Sequence, residues 1–363
     1  MSASKYFGLI FIVTAVFLGF LYTSPKIFSD YTITVLGNIY IFIILAISYN
    51  LINGVTGQFS LEPNGFVAIG AYVTALLMLQ PDVKADMYMI ADPYPFIKDL
   101  YLPGFIKHLF DSVGLHNVHH LFILNAFTTL FISGVVAALI ALTLAFPVFR
   151  VRGDYLAIVT LGFGFIIRIF LINNPEISNG AMGLDSIPGF ASYFWIGVCV
   201  LISVILVYNV VYSKFGRVMK AVRDDEDAAM AMGVNTFKVK TVAFMTSAFF
   251  EGVGGGLLAS SIGSISPDQF TFLLTFQLLI IIVLGGLGSM SGAIIGTIIL
   301  LGGMELLRPL DDSSWSLGPI HGIPGLRMVV FSIILLLIML FARKGIFGDK
   351  ELWDYIKINK ENK

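Results

Sequence analysis

The sequence predicts an all-α polytopic membrane protein of about ten transmembrane helices, with broken helices in its interior. Three observations predict it. Of 363 residues, 57% are apolar and only 12% charged, at a mean hydropathy of +0.89, whereas a soluble domain carries about 25% charged residues. The apolar residues gather into runs near the ~20 residues that a spanning helix needs. Glycine-rich segments interrupt those runs instead of charged linkers. The net charge of −1 excludes an overall basic nucleic-acid binder. The single cysteine, Cys199, excludes an internal disulfide framework and, lying in an apolar run, reads as a buried spectator.

Ten runs are candidate spans. Residues 6–22 follow Lys5 as a signal peptide would, but the apolar stretch is too long and no A-x-A site follows, so it reads as a span. Residues 32–52 end at the first glycine-rich segment, and the short run 65–79 begins beside it. The run 121–149 is long enough to tilt or to begin outside the bilayer. Residues 155–173 and 192–213 follow, then 240–262, the short run 269–284 beside another glycine-rich segment, 292–308 and 325–342.

Lys and Arg near the span ends set the orientation. With the loop 214–240 in the cytoplasm, fifteen of the 22 basic residues fall inside and six outside, and Arg168 lies within a span. Ten spans with both termini cytoplasmic are self-consistent. The chain then reads as one transmembrane domain, 1–363, with a long outer loop at 80–120, a cytoplasmic loop at 214–240 and a cytoplasmic tail at 343–363. The tail from Lys350 reads as a short interfacial helix anchored by Trp353.

Three segments interrupt the helical pattern: GVTGQFSLEPN at 54–64, SIGSISPD at 261–268 and GGLGSMSG at 285–292. Irregular backbone at membrane depth is tolerated only against protein or water, so these breaks should face the bundle interior. Gly54, Gly57, Gly65, Gly285, Gly286 and Gly288 are the break glycines. Gly65 and Gly70 occupy positions corresponding to Gly292 and Gly296, which suggests two related halves around a central pathway; small-residue packing without a repeat is the alternative.

The loop 214–240 reads KFGRVMKAVRDDEDAAMAMGVNTFKVK. It is too charged to span. Residues 219–232 predict one helix of good helix formers, stopped at Gly233. A solvated connector is the plain reading. A small-residue face of Ala228, Ala229 and Ala231, with Met230 and Met232 beside it, also suits docking into a partner's groove. The run from Asp227 to Gly233 fits the [E/D]-A-A-x-x-x-G signature of ABC-importer permeases. The candidate ATPase-coupling residues are Arg217, Arg223, Asp224, Glu226, Asp227, Ala228, Ala229 and Gly233.

Four blocks in order extend this. VRGDYLAIVTLGFG at 151–164, SNGAMGLDSIP at 178–188, AVRDDEDAAMAMG at 221–233, and ISPD at 265–268 with VLGGLG at 283–288 resemble the LivM-type permease of branched-chain amino acid ABC importers, within the LivH/LivM permease family. The resemblance implies a helical permease that pairs with a second, related permease, two cytoplasmic ABC ATPase subunits and an extracytoplasmic substrate-binding protein, in a bacterial-type cytoplasmic (inner) membrane. It implies leucine, isoleucine and valine as cargo, with other amino acids, urea or short amides as the alternative. The chain departs from the family at Phe165, at Gln277, at Glu62-Pro63-Asn64, at Glu251 and in the length of the loop 80–120. Glu305 matches a glutamate common in the family.

Charged and polar residues inside the spans, Arg168, Glu251 and Gln277, together with Asn174 and Asn179 in the outside stretch 173–190, mark a candidate translocation pathway. Arg168 would steer a carboxylate at the outer mouth, or cap carbonyls, or pair with a carboxylate. Glu251 reads equally as a structural hydrogen-bond partner, and Glu305 as a snorkelling interfacial residue. Residues 173–190 read as a substrate hand-over loop or an ordinary connector. His108, His116, His119 and His120 lack metal-ligand spacing and read as loop surface, so no metal site is expected. No G-x-x-x-x-G-K-[ST], G-x-S-x-G or H-E-x-x-H motif occurs. The chain is therefore not read as an enzyme and needs no cofactor of its own; ATP and Mg2+ would belong to the partner ATPase. A self-sufficient secondary transporter is the competing class. It would use Arg168 or Glu251 for ion coupling but leaves the Asp227–Gly233 segment without a purpose.

Overall fold

A computed structural model describes residues 3–88, 90–106, 121–150, 153–311, 316–317, 320–321, 325–342, 344–348 and 351. The principal helices are α1 (Ala3–Ile27), α2 (Asp30–Asn50), α3 (Pro63–Met78), α4 (Pro81–Met87), α5 (Leu121–Val148), α6 (Asp154–Asn173) and α7 (Tyr193–Tyr212). They continue with α8 (Lys214–Asp224), α9 (Glu226–Ala231), α10 (Thr236–Ile262), α11 (Phe272–Gly285), α12 (Met290–Thr297) and α13 (Leu326–Phe341). The only strands among the described residues are Ser316–Leu317 and Ile320–His321, paired antiparallel.

The all-α polytopic fold is as expected, but the expected ten spans are not all met by length and composition. Seven described helical segments are long and apolar enough to cross a membrane, and the α3–α4 pair, bent by 117°, makes up to eight. Of the three runs not among these, the first falls in α1 (Ala3–Ile27), while the third and tenth are short. Gln80 and Pro81 turn the chain sharply after α3, and α13 has only 16 residues.

Helix α10 is the axis of the bundle. It packs against α2, α3 and α5, and the approach is close because of its glycines. A Cβ on Gly255 would lie 2.1 Å from the Val67 carbonyl oxygen in α3, and one on Gly70 would lie 2.0 Å from the Gly252 oxygen. On its other sides Gly254 meets Leu45 of α2, and Gly252 meets Ala137 and Ser133 of α5. Small residues let helix backbones meet where lipid offers no hydrophobic drive between them. Tyr49, Phe66, Phe244 and Phe270 fill the remaining core.

The expected single helix at 219–232 is instead two. Asp225 adopts an extended conformation (φ −157°, ψ 107°) and caps α9 by accepting from the Ala228 N–H at 2.9 Å. The side-chain carboxylate competes with the backbone for its own amides, and Glu226 and Asp227 favour the new N-terminus. The first break also begins differently. Gly54 lies inside a π turn, Leu51–Val55, that continues α2, and Gly65 already lies in α3 against the Phe163 ring, so the irregular stretch is confined to residues 56–62.

The contacts sort the connections into two groups. The first and third breaks, α8 and the segment 344–351 meet at one end. The second break meets the loop 174–190 at another place: Leu184 and Ile265 exchange backbone hydrogen bonds, and Ile187 donates to the Gly263 oxygen.

Candidate functional site

The first and third breaks lock together through one amide. Asn50, at the end of α2, accepts from the Gly288 N–H (2.9 Å) and donates to the Ser289 carbonyl (3.0 Å). Asn50 is fully buried, so both bonds satisfy groups that water does not reach. Gly57 and Gly288 hold φ of +70° and +90°, a region open chiefly to glycine. No side chain fits between the breaks: a Cβ on Gly54 would lie 2.2 Å from both Asn50 Oδ1 and Gly288 N.

Arg223, the basic residue in the last turn of α8, lies across this junction. Its Nη1 donates to the Gly54 carbonyl at 3.2 Å, and its Cγ would be 2.4 Å from a Cβ on Gly57. Nη1 would be 3.0 Å from a Cβ on Gly288. Asp224 accepts from Arg223 Nε and Nη2, both at 3.1 Å, and so orients the guanidinium. A guanidinium carries enough donors to serve a carboxylate and a carbonyl together. Arg223 thus ties α8 to both breaks.

The rest of the coupling group divides by exposure. Arg217, Asp224, Asp227, Ala228 and Gly233 are exposed, while Ala229 is buried beneath them. Met232 stands 85% exposed, a large apolar surface beside small residues and carboxylates. Gly233 ends the segment at φ +84°, and a Cβ there would meet nothing within 4 Å. Glu226 receives the buried Lys240 ammonium at 2.7 Å and so fixes α9 to the root of α10.

The candidate pathway residues do not converge. Arg168 pairs with Asp268 of the second break at 2.5 Å, the carboxylate-pairing alternative. Asn174 donates to the Phe170 carbonyl at 2.7 Å and acts as a local helix cap. Asn179 is buried in left-handed conformation (φ 60°) and donates to Gly183 and Met87 carbonyls at 3.0 and 3.3 Å. Glu251 is fully buried on α10, with Oε1 3.0 Å from the Ser247 hydroxyl. Glu62, marked in the sequence only as part of an unusual stretch, is likewise fully buried just before α3. Gln277 is half-buried on α11. Glu305 accepts from Tyr31 and pairs with Arg308 at 3.4 Å. Cys199 is a buried free thiol, as expected. The four histidines at 108–120 and Trp353 lie outside the described residues. Among the described residues no group of His, Cys, Asp and Glu is placed to hold a metal ion.

In the loop after α3, Lys84 turns inward from α4 and donates to the Ile97 and Leu100 carbonyls at 2.8 and 2.6 Å. Burial pushes its ammonium down to about 8, with Asp99 opposing the shift. Tyr88 donates to the Ile177 carbonyl at 2.6 Å, and burial raises its phenol to about 12. These contacts join the loop 80–106 to residues 175–183, an association with no sequence signal.

Two residues outside the coupling and break groups belong to this site. Asn50 reads as an ordinary span residue in the sequence, its partners lying more than two hundred positions away. Glu351, in the tail, accepts from the N–H groups of Met290 and Ser291 at 2.8 and 2.9 Å.

Comparison with known proteins adds the family. Residues 31–341 match the model described as the permease component of branched-chain amino acid transport systems. LivM, the high-affinity branched-chain amino acid transport permease of Escherichia coli K12, is 31% identical over 84% of this chain and 70% of its own length. LivM of Salmonella typhimurium is 31% identical over 80% of this chain; the match spans 66% of that relative, just under two thirds. LivH of Salmonella typhimurium is 27% identical over 92% of this chain and 98% of its own length. No solved structure matches. With a family model covering most of its length and LivM 31% identical over 84% of it, this chain belongs to the permease components of branched-chain amino acid transport systems.

Proposed function

We propose that the chain is the transmembrane permease subunit of an ATP-driven ABC importer for branched-chain amino acids, in the bacterial cytoplasmic membrane with both termini inside. Its partners are a second, related permease, two cytoplasmic ABC ATPases and an extracytoplasmic binding protein. ATP and Mg2+ act in the ATPases. The observation that carries the reading is the seat of Arg223: a loop with an exposed small-residue docking face is bonded to the junction of two helix breaks. ATP-driven movement of α9 would pass through α8 and Arg223 to Gly54, Gly57 and Gly288, and through Glu226–Lys240 to α10. The breaks would then repack and switch the side on which the passage is open. A passage that must release its cargo binds it weakly, so selectivity falls mainly to the binding protein.

Affinity capture of the tagged chain from native membranes in mild detergent, read by mass spectrometry, tests the assembly. Co-capture of P-loop ATPases and a second hydrophobic permease is expected; capture of this chain alone, repeated after crosslinking, overturns it. Gly233→Asp isolates the docking step. Aspartate tolerates positive φ better than most residues, and open space surrounds position 233, so the chain should still insert. The variant should lose the ATPase and uptake. Normal ATP-driven uptake by it counts against docking at this loop.

A further inference from the structure

The third break is closed by a part of the chain that the importer reading does not use. Helix α11 ends at Gly285 and α12 begins at Met290. The segment after α13 returns to this gap. Ile346 N–H donates to the Leu284 carbonyl at 2.9 Å and Phe347 N–H to the Gly285 carbonyl at 3.1 Å, so the tail satisfies two carbonyls at the C-terminal end of α11. The backbones touch directly. A Cβ on Gly345 would be 2.6 Å from Gly286 Cα, and one on Gly286 would be 2.5 Å from the Gly348 oxygen. Gly286 and Gly345 also hold φ of +117° and +78°.

Three residues on, Glu351 closes the other side of the gap. Its carboxylate accepts from the N–H groups of Met290 and Ser291 and from the hydroxyls of Ser291 and Ser289, the latter at 3.3 Å. Only 7% of Glu351 is exposed. An anion on the first free N–H groups of a helix gains from charge-assisted bonds and from the helix dipole together. Ser289 is held on its other face by Asn50, and the residue before it, Gly288, lies against Arg223. The tail, the third break and the coupling arginine are therefore consecutive in one set of contacts.

We propose that Glu351 is a positioning residue for the import cycle: residues 344–348 with Glu351 form a built-in clamp that holds the third break in the shape Arg223 engages, and the clamp stays seated through the cycle. The proposal uses the importer reading for its transport readout only. In the full complex, reconstituted in liposomes with its binding protein, Glu351→Ala and Gly345→Ala should each still co-purify with the ATPases. Each should lower the number of substrate molecules taken up per ATP hydrolysed by about tenfold, since several charge-assisted bonds or a backbone contact are lost. Glu351→Gln keeps one acceptor and should fall between Glu351→Ala and wild type. A simple loss of folding would lower uptake and hydrolysis together, leaving the ratio unmoved. An uptake-to-hydrolysis ratio within twofold of wild type in both alanine variants overturns the proposal.

A second measurement reads the clamp without measuring transport. In the full-length chain in membranes, the Ile346 and Phe347 amides, bonded to the Leu284 and Gly285 carbonyls, should stay protected from hydrogen exchange both at rest and while the complex turns over ATP. Loss of that protection during turnover, or its absence at rest, overturns a clamp that stays seated. If instead the wild-type complex shows no ATP-dependent uptake at all, the importer reading fails while the resting protection still reports on the clamp.

Discussion

Gly54→Ala is the smallest change that separates the two breaks. Gly54 lies in the π turn between αR residues, so alanine meets no backbone penalty there. The cost is steric. The new methyl would stand 2.2 Å from both Asn50 Oδ1 and Gly288 N, the two atoms that share a 2.9 Å hydrogen bond, and 2.8 Å from Gly288 Cα. The two Gly288 atoms are backbone, and Asn50 Oδ1, though a side-chain atom, is held in place by the Gly288 N–H. Wedging the pair apart loses that bond and strains the Asn50–Ser289 bond, at roughly 1 kcal/mol each. Overpacking against backbone adds roughly 1–3 kcal/mol. The total is about 3–5 kcal/mol. Gly162→Ala is the matched control: it lies in α6, has nothing within 4 Å of the new methyl, and should gain up to about 1 kcal/mol of helix propensity. Cys199 is the one cysteine in the chain and is buried, so a thiol-reactive fluorophore reports unfolding directly during heating in detergent. Gly54→Ala should melt at least about 6 °C below wild type, taking roughly 2 °C per kcal/mol for a large domain. If both alanine variants melt together within about 2 °C, the junction as described does not hold the breaks.

Three further outcomes follow from single contacts. Lys84 binds its proton less tightly folded than unfolded, near 8 against 10.5, so the unfolded chain holds more protons between those values and stability must rise with pH there. Hydrogen exchange of residues 81–100 should slow, after correction for intrinsic rate, from pH 8 to 10, and Lys84→Met should abolish that trend. Glu226→Ala leaves the Lys240 ammonium buried without its carboxylate and should cost roughly 1.5–3 kcal/mol, seen as protease cleavage between α9 and α10; adding Lys240→Met should reverse most of it. For Arg168–Asp268, the charge swap Arg168→Asp with Asp268→Arg should recover uptake lost in either single variant, whereas an arginine needed for a substrate carboxylate leaves the swap inactive.

The spans were legible because lipid imposes one condition on every residue of a run, and that condition survives without knowing the partners. The end of the coupling segment at Gly233 was legible for a similar local reason: positive φ needs a glycine or its few substitutes. The division into α8 and α9 was nearly legible. Asp225 followed by Glu226 and Asp227 is an N-cap with acidic first-turn residues, but good helix formers on both sides concealed it. What the sequence hid is the pairing of distant groups. Arg223 and Gly54 are 169 positions apart, Asn50 and Ser289 are 239 apart, and nothing in either residue's neighbourhood marks the other. Asn179 misled for the opposite reason. Its polar side chain reads as a pathway residue, yet the left-handed turn directs its amide onto two carbonyls inside the fold.

The stiffness of these pairings bears on how such a chain transmits force. A long side chain between two helices absorbs a displacement by changing rotamer, whereas backbone against backbone has no such reserve. Where the loop meets the bundle, the contacts are of the stiff kind. Gly54 meets Gly288, Gly286 meets Gly345 and Gly348, and Gly70 meets Gly252. Arg223, a long side chain, is fixed at its head by Asp224 and by the Gly54 carbonyl, and along its stem by Gly57. From α9 there are then two routes inward, one through Arg223 to the breaks and one through Glu226–Lys240 to α10. Both routes reach α2 and α3, because the first break joins those helices and α10 packs on them through Gly254 and Gly255. A load on α9 therefore cannot be taken up by α10 alone or by the breaks alone. Under the proposed mechanism they move together or the Asn50 junction parts, so that junction, two hydrogen bonds on one buried amide, is a place where coupling and stability should fail at once.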